Sequence, residues 1–270
     1  MKSVEVPCYT HFPVVPCKVV RDVALDRVIS LESVELGYTC HAACRILPYL
    51  ELPHLKLVTV SSHFRAGQTI KLANLLPHSG HIHLAGVTNM CYCSYSFFTH
   101  EPDCCERIHL FGGDTDVFIT GICTGAHNIP TDWFSARSPI PFEQIEELKM
   151  YCTHLTSSFS FNRFKSLKIL RSAVEDSERF LSLLRPDPRT GIPCPSLEEI
   201  QYGAHKESDI EYLGTLLEEK GMAGYLLERH NTFPALNQEL GRELGKYVGE
   251  WKAGSPTESP LCLHNRCAFP

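Results

Sequence analysis

The sequence predicts an α/β fold, an irregular horseshoe-like solenoid in which short parallel strands alternate with helices and loops. One nine-residue phrase recurs with apolar residues at offsets 0, 3 and 6, and in most copies at offset 8. The first two apolar positions suit a turn anchored in a core, and the last two, spaced by two, suit a strand with one buried face. The copies span residues 52–60, 142–150, 164–172 and 194–202.

The spacing of the last three copies, 22 and 30 residues, is typical of a repeat protein, in which each unit buries its apolar face against the next. The phrase resembles the Leu-x-x-Leu-x-x-Leu-x-Leu core of leucine-rich repeats. Those repeats carry Asn or Cys three residues past the strand, and the residues at these positions are His63, Thr153, Glu175 and His205. This departure favours an irregular solenoid. The alternative is an ordinary α/β domain in which several strands begin alike.

Composition and length are those of a folded protein. The 270 residues suffice for one elongated or two compact domains, with 43% hydrophobic and 21% charged residues. A formal net charge of −6 argues against nucleic acid or an anionic membrane as partner. No apolar run reaches the 18 residues of a membrane span, and the first residues lack a signal-peptide core. The thirteen cysteines are therefore expected to be reduced, small buried hydrophobes, in the cytoplasm or nucleus.

Three regions follow from these patterns. Residues 1–46 are predicted as an N-terminal lead-in or cap, with a helix over 19–36. Residues 47–230 are predicted as the leucine-rich-repeat-like domain. Residues 231–270 are predicted as an amphipathic helix, over 236–251, followed by a disordered tail, although glycines four residues apart weaken that helix.

Inside the repeat-like domain, the phrase at 52–60 predicts a strand over about 57–61. Residues 107–111 and 116–120 are predicted as two strands around a Gly-Gly-Asp-Thr turn, either a hairpin or two tightly joined solenoid strands. Short helices are predicted over 176–185 and 208–221. In the second of these, Ser208 and Glu211 match a capping box, and Gly221 is the expected stop.

A cluster of potential metal ligands lies within fifteen residues, namely Cys91, Cys93, His100, Cys104 and Cys105. Thiolate and imidazole are the ligands that zinc prefers, and four of these five would complete a tetrahedron. However, Cys-x-Cys with an adjacent Cys-Cys is not the Cys-x₂-Cys spacing of a zinc knuckle. The aromatic residues between them favour a packed core segment with reduced cysteines.

No catalytic motif was found. The chain has no Gly-x-Ser-x-Gly elbow, no glycine-rich phosphate loop ending in Lys-Ser or Lys-Thr, and no His-Glu-x-x-His. We therefore expect a protein that is not an enzyme and needs no cofactor.

Residues 164–170, 180–184, 194–200 and 213–221, preceded by 47–57, follow one another in a familiar order. This sequence pattern is similar to the leucine-rich-repeat-like C-terminal region of the large F-box protein family of mushroom-forming fungi. The resemblance implies a substrate receptor of a ubiquitin ligase, in which the repeats hold a protein target and an N-terminal F-box docks on the cullin-ligase adaptor. Residues 1–50 contain no Leu-Pro-x-Glu-type F-box, so adaptor binding is not carried over.

In such a solenoid, offsets 7 and 9 of each phrase face away from the core. We expect a protein partner to bind these strand residues, and tyrosine and arginine there are typical of interface hot spots. The alternative is that they are solvated strand residues only. Other interpretations are a zinc domain around residues 91–105, and a gene fragment without a function of its own. The predicted binding residues are Thr59, Ser61, Lys149, Tyr151, Arg171 and Gln201.

Overall fold

The computed structural model describes residues 3–6, 33–36, 57–65, 84–98, 102–124, 133–135, 138–152, 155, 159–203, 207–222, 227–233 and 248–253. These residues form a mixed α/β fold with mostly parallel strands and two α-helices, which confirms the predicted class. The chain divides into two units, Met1–Thr88 with Cys93–Pro141, and Asn89–Tyr92 with Phe142–Pro270. This division falls inside the predicted 47–230 region. The boundaries at residues 47 and 231 stay predictions.

The first unit is built around mostly parallel strands. Its strands are β1 (Ser3–Val6), β2 (Ser33–Leu36), β3 (Leu57–Arg65), β5 (Pro102–Gly112) and β6 (Thr115–Thr124), together with β4 (Asn89–Phe98) from residue 93 onward. Their order is β1-β2-β3-β6-β5-β4. Strand β3, predicted from the first phrase, pairs in parallel with β2 and β6.

Strands β5 and β6 are antiparallel and form the hairpin predicted around the Gly-Gly-Asp-Thr turn. Gly112 and Gly113 there have φ of +153° and +55°, which glycine adopts without a steric penalty. The hairpin contributes much of the buried apolar surface described in this unit. Its buried apolar side chains include Cys105, Ile108, Leu110, Val117, Phe118 and Ile119.

Two segments of the predicted lead-in are strands. The helix predicted over 19–36 is wrong at residues 33–36, which form β2, and the rest of it lies outside the described residues. Strand β2 pairs in parallel with β1 and with β3. These ladders give its backbone N–H and C=O groups partners on both sides, which outweighs a weak local preference for helix.

The second unit contains five strands that follow one another both in the chain and in the strand order. These are β7 (Glu147–Cys152), β8 (Ile169–Val174), β9 (Glu199–Gly203), β10 (Leu227–Phe233) and β11 (Val248–Ala253). Each pairs in parallel with the next. Helix α1 (Ser177–Ser182) lies between β8 and β9, and helix α2 (Glu207–Met222) lies between β9 and β10.

The three phrases of this unit are aligned offset for offset. Leu148 pairs with Leu170, and Leu170 with Ile200, so that offset 6 of each phrase meets offset 6 of the next. The carbonyl at offset 4 accepts from the two N–H groups at offsets 4 and 5 of the following phrase, with distances of 2.8–3.0 Å. All twelve residues at offsets 0, 3, 6 and 8 are buried, including the polar Ser172.

The turns before β7 and β8 are anchored by aromatic rings. Phe142 and Phe164, both at offset 0, make an edge-to-face contact with centroids 5.1 Å apart. Phe161 packs edge-on against Phe180 of α1 at 5.4 Å, and Phe180 stacks on Tyr202 of β9 at 6.3 Å. The rings therefore form a continuous contact network from the turns to α1 and β9.

Both predicted helices are present, with different ends. Helix α1 is capped by Asp176, whose carboxylate accepts from the Arg179 N–H at 3.3 Å. Helix α2 begins at Glu207, so Ser208 is not the residue before it, and it continues through Gly221 to Met222. The predicted capping box and stop are therefore wrong, although Leu213, Leu216 and Leu217 form the expected buried stripe.

The amphipathic helix predicted over 236–251 is wrong at residues 248–251, because Val248–Ala253 form strand β11. Pairing with β10 supplies hydrogen-bond partners for the backbone of this strand. A helix here would contain Gly241, Gly245 and Gly249, and each glycine would destabilise it by about 1 kcal/mol relative to alanine. Residues 234–247 and the predicted tail lie outside the described part of the chain. Among the described residues, no helix combines the length and the apolar composition of a membrane span.

Candidate functional site

The structure brings four of the predicted binding residues together on one side of strands β7 to β9. Lys149 pairs with Arg171 and Arg171 pairs with Gln201, so these three residues form a row across the strands. Tyr151 lies two residues further along β7, opposite Ala173. These four residues and Ala173 are partly exposed, and on β7 and β8 they alternate with buried residues. We call this side of the three strands the β7–β9 face.

Thr59 and Ser61 do not belong to this face. They lie on β3, which is part of the first unit. Their phrase resembles the other three in sequence, but β3 pairs with β2 and β6 and not with a strand that begins with the phrase. That these two residues share a binding surface with the other four stays a prediction.

Sequence reasoning missed the residues at offset 5. Glu147, Ile169 and Glu199 pair with one another across the three strands and form a second row beside the first. The signal was available, because offset 5 differs from offsets 7 and 9 by an even number of strand residues and must share their face. The β7–β9 face thus includes a row with two carboxylates beside a row with two cations.

The two rows are linked by ion pairs. One oxygen of Glu147, Oε1, lies 3.3 Å from Lys149 Nζ and 3.1 Å from Arg171 Nε. The contact with Arg171 has ion-pair distance without hydrogen-bond angles, and neither of its two atoms is exposed to solvent. On β9, Gln201 Nε2 donates to Glu199 Oε1 at 2.6 Å. Glu147 therefore holds both cations of the row close to the strand surface.

Solvent access differs along the face. The side chains of Glu147, Lys149 and Arg171 are 21%, 25% and 35% exposed, which leaves the cations able to contact a partner. On β9, Glu199 and Gly203 are buried. A Cβ atom on Gly203 would lie 3.2 Å from the Cβ of Ala173, so β8 and β9 are closely packed at these two residues. The accessible part of the face is centred on β7 and β8.

The alternative zinc site stays a prediction, because part of it lies outside the described residues. Cys91 and Cys93 are buried on β4, while Cys104 and Cys105 are consecutive residues of β5. Consecutive residues of a strand alternate between the two faces of a sheet. His100 lies outside the described residues. Within the described ranges, no three His, Cys, Asp or Glu residues are close enough together to bind a metal.

Two ionisable groups are buried at the start of the phrase that spans residues 194–202. Lys220 of α2 is 2% exposed, and its Nζ donates to the carbonyl oxygen of Pro193 at 3.2 Å. Burial lowers the pKa of Lys220 below its ordinary value. The neighbouring Cys194 has φ of +48°, and its thiol contacts the carbonyl oxygen of Phe161 at 3.5 Å. Burial raises the pKa of Cys194 to about 12. This thiol is therefore protonated at neutral pH and is a structural group.

The raised pKa of Cys194 has a consequence for stability in alkaline solution. Between pH 9 and about 12 the thiol ionises in the unfolded chain and stays protonated in the folded chain. The folded state then binds more protons, so this thiol's contribution to the free energy of unfolding falls with rising pH, by up to about 1.4 kcal/mol per pH unit. We expect urea titrations to show this loss in the wild type relative to Cys194→Ser.

Lys220 acts in the opposite direction, since its lowered pKa makes its contribution rise as the pH approaches 10.5. Lys220 is present in both proteins, but the Cys194 thiolate raises its pKa, so the difference between them reports the thiol together with its coupling to Lys220. Free energies of unfolding that change in parallel with pH for wild type and Cys194→Ser would contradict the assignment.

Comparison with known proteins adds no family to this description. The chain matches no protein-family model and no curated protein, and no solved structure matches it.

Proposed function

We propose that the chain is a non-catalytic protein-binding module and that its β7–β9 face is the binding surface. The observation that carries this proposal is the row of Lys149, Arg171 and Gln201, with Tyr151 beside it. Arginine and tyrosine are the residue types enriched in interface hot spots. Glu147 restrains Arg171 before any partner arrives, which reduces the side-chain entropy that binding costs.

The irregular leucine-rich-repeat solenoid is part of the same proposal. Its support is the offset-for-offset alignment of three phrases with unequal spacing, because a repeat protein stacks equivalent positions and places length differences outside the strands. The resemblance to fungal F-box proteins supplies the biological role. In this interpretation the face holds a target of a ubiquitin ligase, and the cullin-ligase adaptor is a further candidate partner.

Alanine at both Tyr151 and Arg171 is the direct test. If each side chain is a hot spot worth about 2 kcal/mol, the double variant binds the partner at least about 30-fold more weakly than the wild type. The tagged chain would be used to capture proteins from a fungal lysate, with wild type and variant compared quantitatively by mass spectrometry. The dissociation constant would then be measured for any protein that the variant loses.

The matched control removes the same residue types elsewhere in the second unit. Tyr212 is a partly exposed residue of α2, and Arg189 is exposed in the loop before β9. Tyr212→Ala with Arg189→Ala should capture the same proteins as the wild type. The proposal is wrong if the Tyr151 and Arg171 double variant captures every specific protein as well as the wild type does, while remaining folded by circular dichroism.

A further inference from the structure

The ladder of the β5–β6 hairpin ends on two cysteines. Cys104 of β5 is placed directly opposite Cys123 of β6 in the antiparallel register, at the end far from the turn. Residues directly opposite each other in an antiparallel pair share one face of the sheet. The adjacent Cys105 is opposite Ile122 and therefore shares the other face with it. The strand register therefore pairs Cys104 with Cys123, although Cys105 is closer to Cys104 in the sequence.

The type of pairing sets the distance between the two backbones. Gly112 and Thr115 flank the two-residue turn, so theirs is the pair that exchanges both backbone hydrogen bonds. Such pairs alternate along the ladder with pairs that do not exchange hydrogen bonds. Cys104 is an even number of residues from Gly112, so it forms a pair of the hydrogen-bonded type with Cys123. The Cα atoms of such a pair lie about 5.5 Å apart, inside the range of about 4.4–6.8 Å found for disulfides.

We propose that Cys104 and Cys123 are a redox modification site that forms a reversible disulfide across the hairpin. A peroxide supplies the oxidising equivalents. One thiolate attacks the peroxide oxygen and becomes a sulfenic acid, and water or an alcohol leaves. The second thiol then attacks that sulfur, the S–S bond forms, and a water molecule leaves. A dithiol reductant returns both cysteines to thiols by exchange.

The link would act on the open end of the hairpin. The turn at Gly113 and Asp114 already closes the other end, so a disulfide at Cys104 and Cys123 would fix both ends of the ladder. Strand β6 also pairs with β3 through nine residues, from Leu57 with Asp116 to Arg65 with Thr124. Oxidation would therefore restrain the centre of the sheet in the first unit against opening, and reduction would release it.

Peptide mapping of the peroxide-treated native chain tests the proposal. Trypsin cleavage after Arg107 separates the two cysteines into residues 72–107 and 108–137, and the second peptide contains Cys123 as its only cysteine. A further cleavage after Phe98 separates Cys104 and Cys105 from Cys91 and Cys93. We expect one cross-linked pair, assigned by fragmentation to Cys104 and Cys123, that disappears on treatment with a dithiol.

Single serine variants identify the partner. Cys105→Ser is the matched control, because it removes the neighbouring thiol, and it should cross-link like the wild type. Cys104→Ser and Cys123→Ser should lose the link to background. If a variant fails to fold, the fragmentation assignment in the wild type decides alone. The proposal is overturned if the native wild type forms no link, if the link joins Cys123 to Cys105, Cys91 or Cys93, or if it forms only after urea unfolding.

Discussion

Replacing Phe164 with alanine is expected to lower the free energy of unfolding of the second unit by about 3–5 kcal/mol, the cost of removing a large buried ring. Phe164 is 1% exposed and contacts three other rings, those of Phe142, Phe159 and Phe161, at centroid distances of 5.1, 5.9 and 6.1 Å. A cavity there would weaken the anchor of the middle phrase and, through Phe161, the packing of α1.

Chemical denaturation followed by circular dichroism measures this loss. The matched control is Lys165→Ala, because Lys165 is the next residue and is exposed, and such surface changes stay within about 0.5 kcal/mol. A loss below about 1 kcal/mol for Phe164→Ala would show that the turns are not anchored by these rings, given the usual range for buried aromatic residues.

Replacing Gly112 with alanine is expected to destabilise the first unit by about 2–5 kcal/mol, through backbone strain and overpacking together. The residue has φ of +153°, and an added Cβ would lie 2.6 Å from the carbonyl oxygen of Gly86 and 2.7 Å from the backbone nitrogen of Thr88. Both are backbone atoms, so relief requires movement of the chain between residues 86 and 88 or of the hairpin turn itself.

The neighbouring glycine provides the control. Gly113 has φ of +55°, and the nearest atom to its added Cβ is 3.7 Å away, so Gly113→Asn should cost little because asparagine tolerates this conformation. Trp133 is buried in the first unit, and its fluorescence during urea unfolding reports the change. Equal stability of Gly112→Ala and the wild type, or an equal loss in both variants, would contradict the steric argument.

Local sequence patterns predicted three strands of the second unit and the sides of these strands that are buried. The phrases at 142, 164 and 194 placed strands β7, β8 and β9 and their buried sides, because the spacing of two between offsets 6 and 8 is a direct consequence of strand geometry. The hairpin was predicted for a similar reason, since its turn chemistry lies within four residues.

Pairing between distant segments was not predictable in the same way. The phrase before β3 resembles the other three, yet β3 pairs with β6, which no phrase introduces. Parallel pairing depends on hydrogen bonds between segments far apart in the chain, and a single sequence carries no local signal of them. The same limit explains β2 and β11, whose residues suggested helices until a neighbouring strand supplied backbone partners.

The sequence predicted some residues of the candidate site and missed others. Lys149, Arg171 and Gln201 were assigned to one face because their offsets are equal, and they are paired with one another in the strand register. Glu147 was missed because only offsets 7 and 9 were considered, although offset 5 lies on the same face of the strand. Its contact with Arg171 joins residues of two strands, and no spacing within one phrase predicts that contact.

The order of strands in the second unit also bears on how the chain acquires its structure. Each strand there pairs with the next one in the chain, as Glu147 does with Ile169, whereas in the first unit Leu57 pairs with Asp116 at more than twice the separation. The entropy lost in closing a loop grows with its length, and folding rates fall as contacts become more distant in sequence. The second unit can therefore assemble strand by strand along the chain, while in the first unit β3 gains its second partner only when residues 115–124 have joined the sheet.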